Sequence, residues 1–170
     1  EQVRILVDCG LEQGGGNADD NNHKTFSYDP STINYLLVTH AHIDHIGRIP
    51  KLIKEGFKGK IFSTLETKRL APLMFEDSLK LFAHEEERTG LAPLYNAHDV
   101  EESLKLWHDI PYHQITELHG GFQVYPKDAG HILGSAMYEI TYHGKKIVFT
   151  GDLGNSPTPL LNDTEDITDA

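Results

Sequence analysis

A chain of 170 residues with a net charge of −11 is long enough for one hydrophobic core, and it has the wrong sign for binding nucleic acid by charge alone. A single cysteine excludes an internal disulfide and fits a reducing, cytoplasmic compartment, and no apolar run approaches a membrane span. The chain starts at Glu1 with a strand pattern almost at once, as expected where an upstream segment has been removed.

The first element is the strand VRILVD (3–8), ending in Asp8, with Cys9 read as a small buried residue at the strand end. Residues 12–30 are polar and glycine-rich. Gly14–Gly16 suggests a phosphate cradle, but no Lys-Ser/Thr follows and no helix pattern opens, so a surface excursion is expected. YLLVT (35–39) reads as a buried strand, 46–57 as a helix, and KIFS (60–63) as a strand. A long helical pattern covers 65–88, where Pro72 predicts a break or kink, and another covers 99–108, where Asp99 and Glu102 have capping-box spacing. Three strands follow: FQVYPK (122–127), AMYEITYH (136–143) and KIVFTG (146–151). Tyr142-His143-Gly144-Lys145 signals a tight hairpin between the last two. The tail at 155–170 is acidic, lacks periodicity and is expected to fray. Strands mixed with helices predict the α/β class with a mixed sheet.

The densest chemistry lies in VTHAHIDHIG (38–47). His40 and His42 sit at i and i+2 on the exit of a buried strand and can point the same way. Asp44 and His45 follow a turn and can face a second point nearby. One short loop can thus give two ligands to each of two cations, with imidazole and carboxylate donors that suit zinc and no thiolate. The helix opening here adds a dipole that favours anions. His131 stands in a glycine-rich loop before a strand, and Asp152 stands at a strand exit flanked by Gly151 and Gly154, where a carboxylate can bridge two metals. Asp8 is better placed to orient a ligand imidazole than to bind metal. A basic segment follows the cluster: Arg48, Lys51, Lys54, Lys58, Lys60, Lys68 and Arg69 against Glu55 and Glu66, read by default as a solvated helix face.

These residues resemble the metallo-β-lactamase superfamily. Its HxHxDH signature is matched by His40-Ala41-His42-Ile43-Asp44-His45, its downstream histidine by His131, its bridging aspartate by Asp152 and its early strand-end aspartate by Asp8. DAGHILGSA and GKKIVFTGDLG are similar to the β-CASP branch of RNA- and DNA-processing nucleases, above all to prokaryotic relatives of the pre-mRNA 3′-end cleavage nuclease. The resemblance covers nearly the whole chain.

It implies an αββα sandwich with mixed sheets, cut before the β-CASP insertion, with 1–154 as the metallo-β-lactamase portion and 155–170 as a tail leading toward that insertion. By the same resemblance His40, His42 and His131 hold one Zn²⁺, Asp44 and His45 the other, and Asp152 bridges. A later histidine and a proton donor lie beyond this span, so the second site is expected to be incomplete. The implied activity is hydrolysis of single-stranded RNA through a metal-bridging hydroxide, with Asp44 and Asp152 as catalytic residues, weak or absent in this span alone. The implied partners are RNA, held mainly by the other domain, and a second copy in a full-length homodimer, with no membrane. Two rival readings are a small-ester or thioester hydrolase of the same fold and a non-catalytic scaffold subunit. His23, His84, His98, His108, His113, His119 and His143 lack partner spacing and read as surface or hydrogen-bonding residues.

Overall fold

Strand β2 (Tyr35–Leu37) shows how the sequence builds layers. Successive side chains of a strand point to opposite faces, yet Leu36 and Leu37 are both fully buried, so this strand is covered on both sides. Leu36 joins a core with Leu52, Ile61, Phe75, Val100 and Trp107, which is packed by helices. Leu37 joins another core with Ile110, Leu118, Val124, Tyr138 and Ile140, which is packed by a second sheet. The computed structural model describes residues 2–15, 17–155 and 157–169.

The first sheet is parallel: β1 (Ile5–Val7), β2, β3 (Lys60–Ser63) and β4 (Trp107–Asp109), in that order. Parallel neighbours need crossovers. These are supplied by α1 (Ala18–His23), then α2 (Ile43–Ile46) and α3 (Ile49–Lys54), then α4 (Leu65–Thr89) and α5 (Ala97–Lys105). The second sheet is antiparallel: β5 (Thr116–Leu118), β6 (Phe122–Asp128), β7 (Ala136–Tyr142) and β8 (Lys145–Phe149). The β7–β8 turn places His143 at φ 48° and Gly144 at φ 73°, the two-residue geometry that matches strand twist. The mixture of strand senses therefore lies between the sheets, and the described residues stack as helices, parallel sheet and antiparallel sheet. No described helix is long and apolar enough to cross a membrane.

Several expectations need correction. A six-residue helix, α1, forms inside the 12–30 excursion, and Gly16 of the glycine run lies outside the described residues. Pro72 does not break α4, which runs through it for 25 residues. The capping box of α5 is Asn96 with Asp99, two side chains that each accept from the other's backbone N–H, rather than Asp99 with Glu102. The helix expected over 46–57 is two short helices separated at Gly47–Arg48, so Asp44 and His45 lie within α2 and the dipole of so short a helix is small. Lys51 is buried: its ammonium bonds the carbonyls of Asn22 and Lys24 and pairs with Glu55 at 3.3 Å, anchoring the excursion rather than facing solvent.

The described part of the tail is not frayed, residues 156 and 170 lying outside it. Asn162 Nδ2 donates to Asp128 Oδ2, Thr164 Oγ1 to the Ala129 carbonyl and Glu165 N to the Asp128 carbonyl, which ties the tail to the end of β6. Lys127 and Lys146 flank the buried Glu139 at 3.1 and 3.0 Å, and each also donates to a tail carbonyl, at Asp166 and Thr168.

Candidate metal centre

The centre sits where β1, β2 and β8 end. After β1 the chain runs directly against α2: Cys9 N donates to the His45 carbonyl, Leu11 N to the Ile43 carbonyl, and Arg48 N back to the Cys9 carbonyl. Gly10 is required there, because a Cβ would fall 1.5 Å from the Asp44 carbonyl oxygen. Asp8, held at φ 58°, turns its carboxylate across to the next strand. Its Oδ1 accepts from Thr39 N at 2.8 Å, and its Oδ2 accepts from Thr39 Oγ1 at 2.8 Å and lies 2.8 Å from His45 Nδ1.

The second sheet delivers the remaining donors. Ser135 Oγ accepts from His131 N at 3.0 Å and closes the 131–135 loop. Gly151 packs on Thr39, and Gly154 passes so near Gly130 that a Cβ would lie 1.7 Å from its carbonyl oxygen. These contacts bring Asp152 to His131 although 21 positions separate them in sequence.

Two groups of donor atoms result, each within 4.8 Å: His40, His42, His131 and Asp152; and Asp44, His45 and Asp152. In the first, His42 Nδ1 lies 3.0 Å from His40 Nε2 and 3.2 Å from His131 Nε2. Asp152 Oδ2 is 3.7 Å from His131 Nε2 and 4.0 Å from His40 Nε2. In the second, His45 Nε2 is 3.3 Å from Asp152 Oδ1 and 3.7 Å from Asp44 Oδ2. Burial, reinforced by the His45, His42 and His131 imidazoles, pushes the His40 pKa down to about 3, so its ring is neutral with a free lone pair. The hydrogen bond that His45 Nδ1 donates to the Asp8 carboxylate raises the His45 pKa and fixes the ring with Nε2 toward Asp152.

The donor set fits a divalent cation. His42 Nδ1 faces two ring nitrogens, and one nitrogen cannot make a good hydrogen bond with both at once. A cation among them accepts all three lone pairs. Nitrogen and carboxylate donors without thiolate suit first-row divalent ions.

All six residues singled out as ligands are therefore brought together, with Asp8 behind His45. Cys9 is a buried strand-end residue as read, its thiol pushed up to about 12 by burial. None of the other seven histidines joins a donor group among the described residues. Sequence reading missed Thr39, whose hydroxyl lies 2.8 Å from Asp8 Oδ2, 3.1 Å from His40 Nδ1 and 3.4 Å from His45 Nδ1. It also missed Gly10. The available signal was the pairing of two parallel strand ends, since the β1–β2 register sets Asp8 beside the exit of β2.

Residues 1–168 match the family described as the metallo-beta-lactamase superfamily domain. Ribonuclease TTHA0252 of Thermus thermophilus is 37% identical over 160 residues, covering 94% of this chain and 35% of the relative. Transcription termination factor FttA of Methanosarcina mazei is 34% identical, covering 95% and 25%, and endoribonuclease YSH1 of Yarrowia lipolytica is 36% identical, covering 81% and 16%. The chain thus spans about a third or less of the length of these curated relatives. Among solved structures, a metallo-beta-lactamase HARLDQ-motif mutant from Cronobacter sakazakii superposes with a TM-score of 0.53 at 18% identity, covering 94% of this chain and 56% of that one, a likeness of fold alone.

Proposed function

Since this chain belongs to the metallo-beta-lactamase superfamily, we propose that it is the metal-binding part of a β-CASP-type, zinc-dependent ribonuclease. The carrying observation is that Asp152 presents Oδ1 to one donor group and Oδ2 to the other, the arrangement a carboxylate shared by two cations would need. In this reading His40, His42, His131 and Asp152 hold one Zn²⁺, and Asp44, His45 and Asp152 hold a second. The names of the relatives, a ribonuclease and an endoribonuclease among them, support RNA as the substrate class.

Bound zinc would supply Lewis acidity, lowering the pKa of water toward neutrality and countering charge on phosphoryl oxygens. The chain's own residues do the rest. Burial keeps His40 neutral, Asp8 locks the tautomer and direction of His45, and the His131 loop is closed by Ser135. Asp44 and Asp152 are the donors open to solvent, each side chain 45% exposed, so they face substrate and orient the water that attacks phosphorus in line with the leaving oxygen.

The test is cleavage of a labelled single-stranded RNA by the purified protein at high enzyme concentration, with zinc content measured alongside. Slow, zinc-dependent cleavage that is lost on chelation and in Asp152→Ala supports the reading. Hydrolysis of a thioester or lactone with none of RNA, or RNA cleavage indifferent to chelator, would overturn it.

A further inference from the structure

The donor groups draw on both sheets, so the His131 loop must be held at a fixed distance from His40 and His42. Ser135 closes that loop on itself, through His131 N, Ile132 N and its own amide bond to the Ile132 carbonyl. These bonds set His131 relative to Gly134, yet none reaches the parallel half of the molecule.

Beyond the loop's end, Ala136 N donates to the Thr39 carbonyl and Tyr112 Oη to the Ser135 carbonyl, both at 2.8 Å; the loop tip itself is held at Gly134. Thr64 Oγ1 and Thr67 Oγ1 both donate to its carbonyl oxygen, at 2.6 and 2.9 Å, across 70 and 67 positions of sequence. Both threonines are buried, 1% and 0% exposed. Gly134 sits at φ +84°, and a Cβ there would come within 2.6 Å of Glu66 Cβ and 2.8 Å of Thr67 N, so the loop tip lies directly on the first turn of α4. Capping α4 accounts for only one of the two hydroxyls. Thr64 Oγ1 accepts the Thr67 amide as the N-cap, whereas Thr67 Oγ1 bonds only the loop. A threonine in the first turn has ordinary alternatives in water or its own helix, so a bond to a distant carbonyl marks a specific contact.

We propose that Thr64 and Thr67 are positioning residues for His131: their hydroxyls pin the Gly134 tip to α4 and thereby set the reach of His131 toward His40 and His42. The proposal rests on the metal-centre reading above. It locates control of the four-donor group on α4, an element that contributes no ligand.

The test is a zinc titration of the 170-residue chain against a chromophoric chelator, with folding followed by circular dichroism. Valine keeps the shape of threonine and removes the hydroxyl, and Thr67→Val leaves the helix cap intact. Thr67→Val is expected to raise the dissociation constant of the tighter site by about threefold, and Thr64→Val/Thr67→Val by about tenfold, at or below the low end of the 10–100-fold range for losing a ligand's own hydrogen-bond partner, because these hydroxyls act one step further out. Thr64→Ser/Thr67→Ser should restore the parental constant. If the double valine variant does not fold, Thr67→Val alone decides. Folded valine variants that bind zinc as tightly as the parent would overturn the proposal, as would failure of the serine variants to restore binding. A parent chain that binds no zinc would overturn the metal-centre reading instead.

Discussion

The two donor groups share Asp152 but differ in nearly everything else. The inner group has three imidazoles and a carboxylate, assembled from both sheets, with His40 fully buried. The outer group has three donors, and two of them, Asp44 and Asp152, are 45% exposed. Under the proposal above, the four-donor group would hold its ion more tightly than the three-donor group, because four donors fill a tetrahedral shell and three do not. Both groups need the second sheet for Asp152, but the inner one also needs the His131 loop, whereas in the outer one the Asp8 carboxylate holds His45.

Removing the shared residue should erase the distinction. Asp152→Ala takes one donor from each group, leaving three imidazoles in the inner group and two donors in the outer. We expect loss of the outer ion, and weakening of the inner one by more than the about 10–100-fold typical of outer-partner mutations. RNA cleavage should disappear. Metal analysis after gel filtration reads the first two outcomes.

Asp8→Asn should sharpen the contrast instead. Asparagine tolerates the positive φ at this position, so the change removes charge and leaves the backbone. The outer site should weaken by about 10–100-fold through misorientation of His45 while the inner constant stays put, as resolved by a two-site zinc titration. Equal weakening of both sites would show that Asp8 supports the whole loop through Thr39.

Acid behaviour separates the centre from the sheet behind it. Burial of Glu139 pushes its pKa up, but the Lys146 and Lys127 ammonium groups outweigh this and leave it below the usual 4.5. A lowered folded pKa contributes stability that is present above about pH 4.5 and is lost as pH falls through the folded value. Glu139→Gln should flatten the acid limb of urea-unfolding stability measured with chelator present, while leaving zinc affinity at pH 7 unchanged.

The smallest expected effect is at Cys9. With 5% exposure and a thiol pKa near 12, it should not react with a thiol reagent at pH 8 until the protein unfolds. Rapid reaction would show that the 8–11 segment beneath the outer group opens readily.

The same asymmetry decided what could be read from the sequence. Four of the six donors occupy positions 40–45, where spacing on a strand exit is enough to suggest their purpose. His131 and Asp152 stand singly, and only the resemblance to a known family tied them to the cluster. The contacts that join them are backbone approaches at Gly130, Gly151 and Gly154 and hydroxyl bonds from Thr64 and Thr67, and none of these has a sequence period. Six strands were legible from β-branched and aromatic runs. β4 and β5 were not, because WHD and TEL each carry a single large apolar residue and no β-branched or aromatic run, and they pair for tertiary reasons. Pro72 misled because it lies near the start of a long helix held by Ala71 and Phe75 in the core, where packing outweighs the lost hydrogen bond.

On the proposed reading, two unequal cation sites meet at Asp152. A zinc titration with mass-spectrometric stoichiometry, on the parent chain and on Asp152→Ala, tests it most directly. One tightly held zinc and one weakly held zinc are expected in the parent, with both weakened together in the variant. Two equally tight ions, or a variant that keeps the parent's two constants, would contradict it.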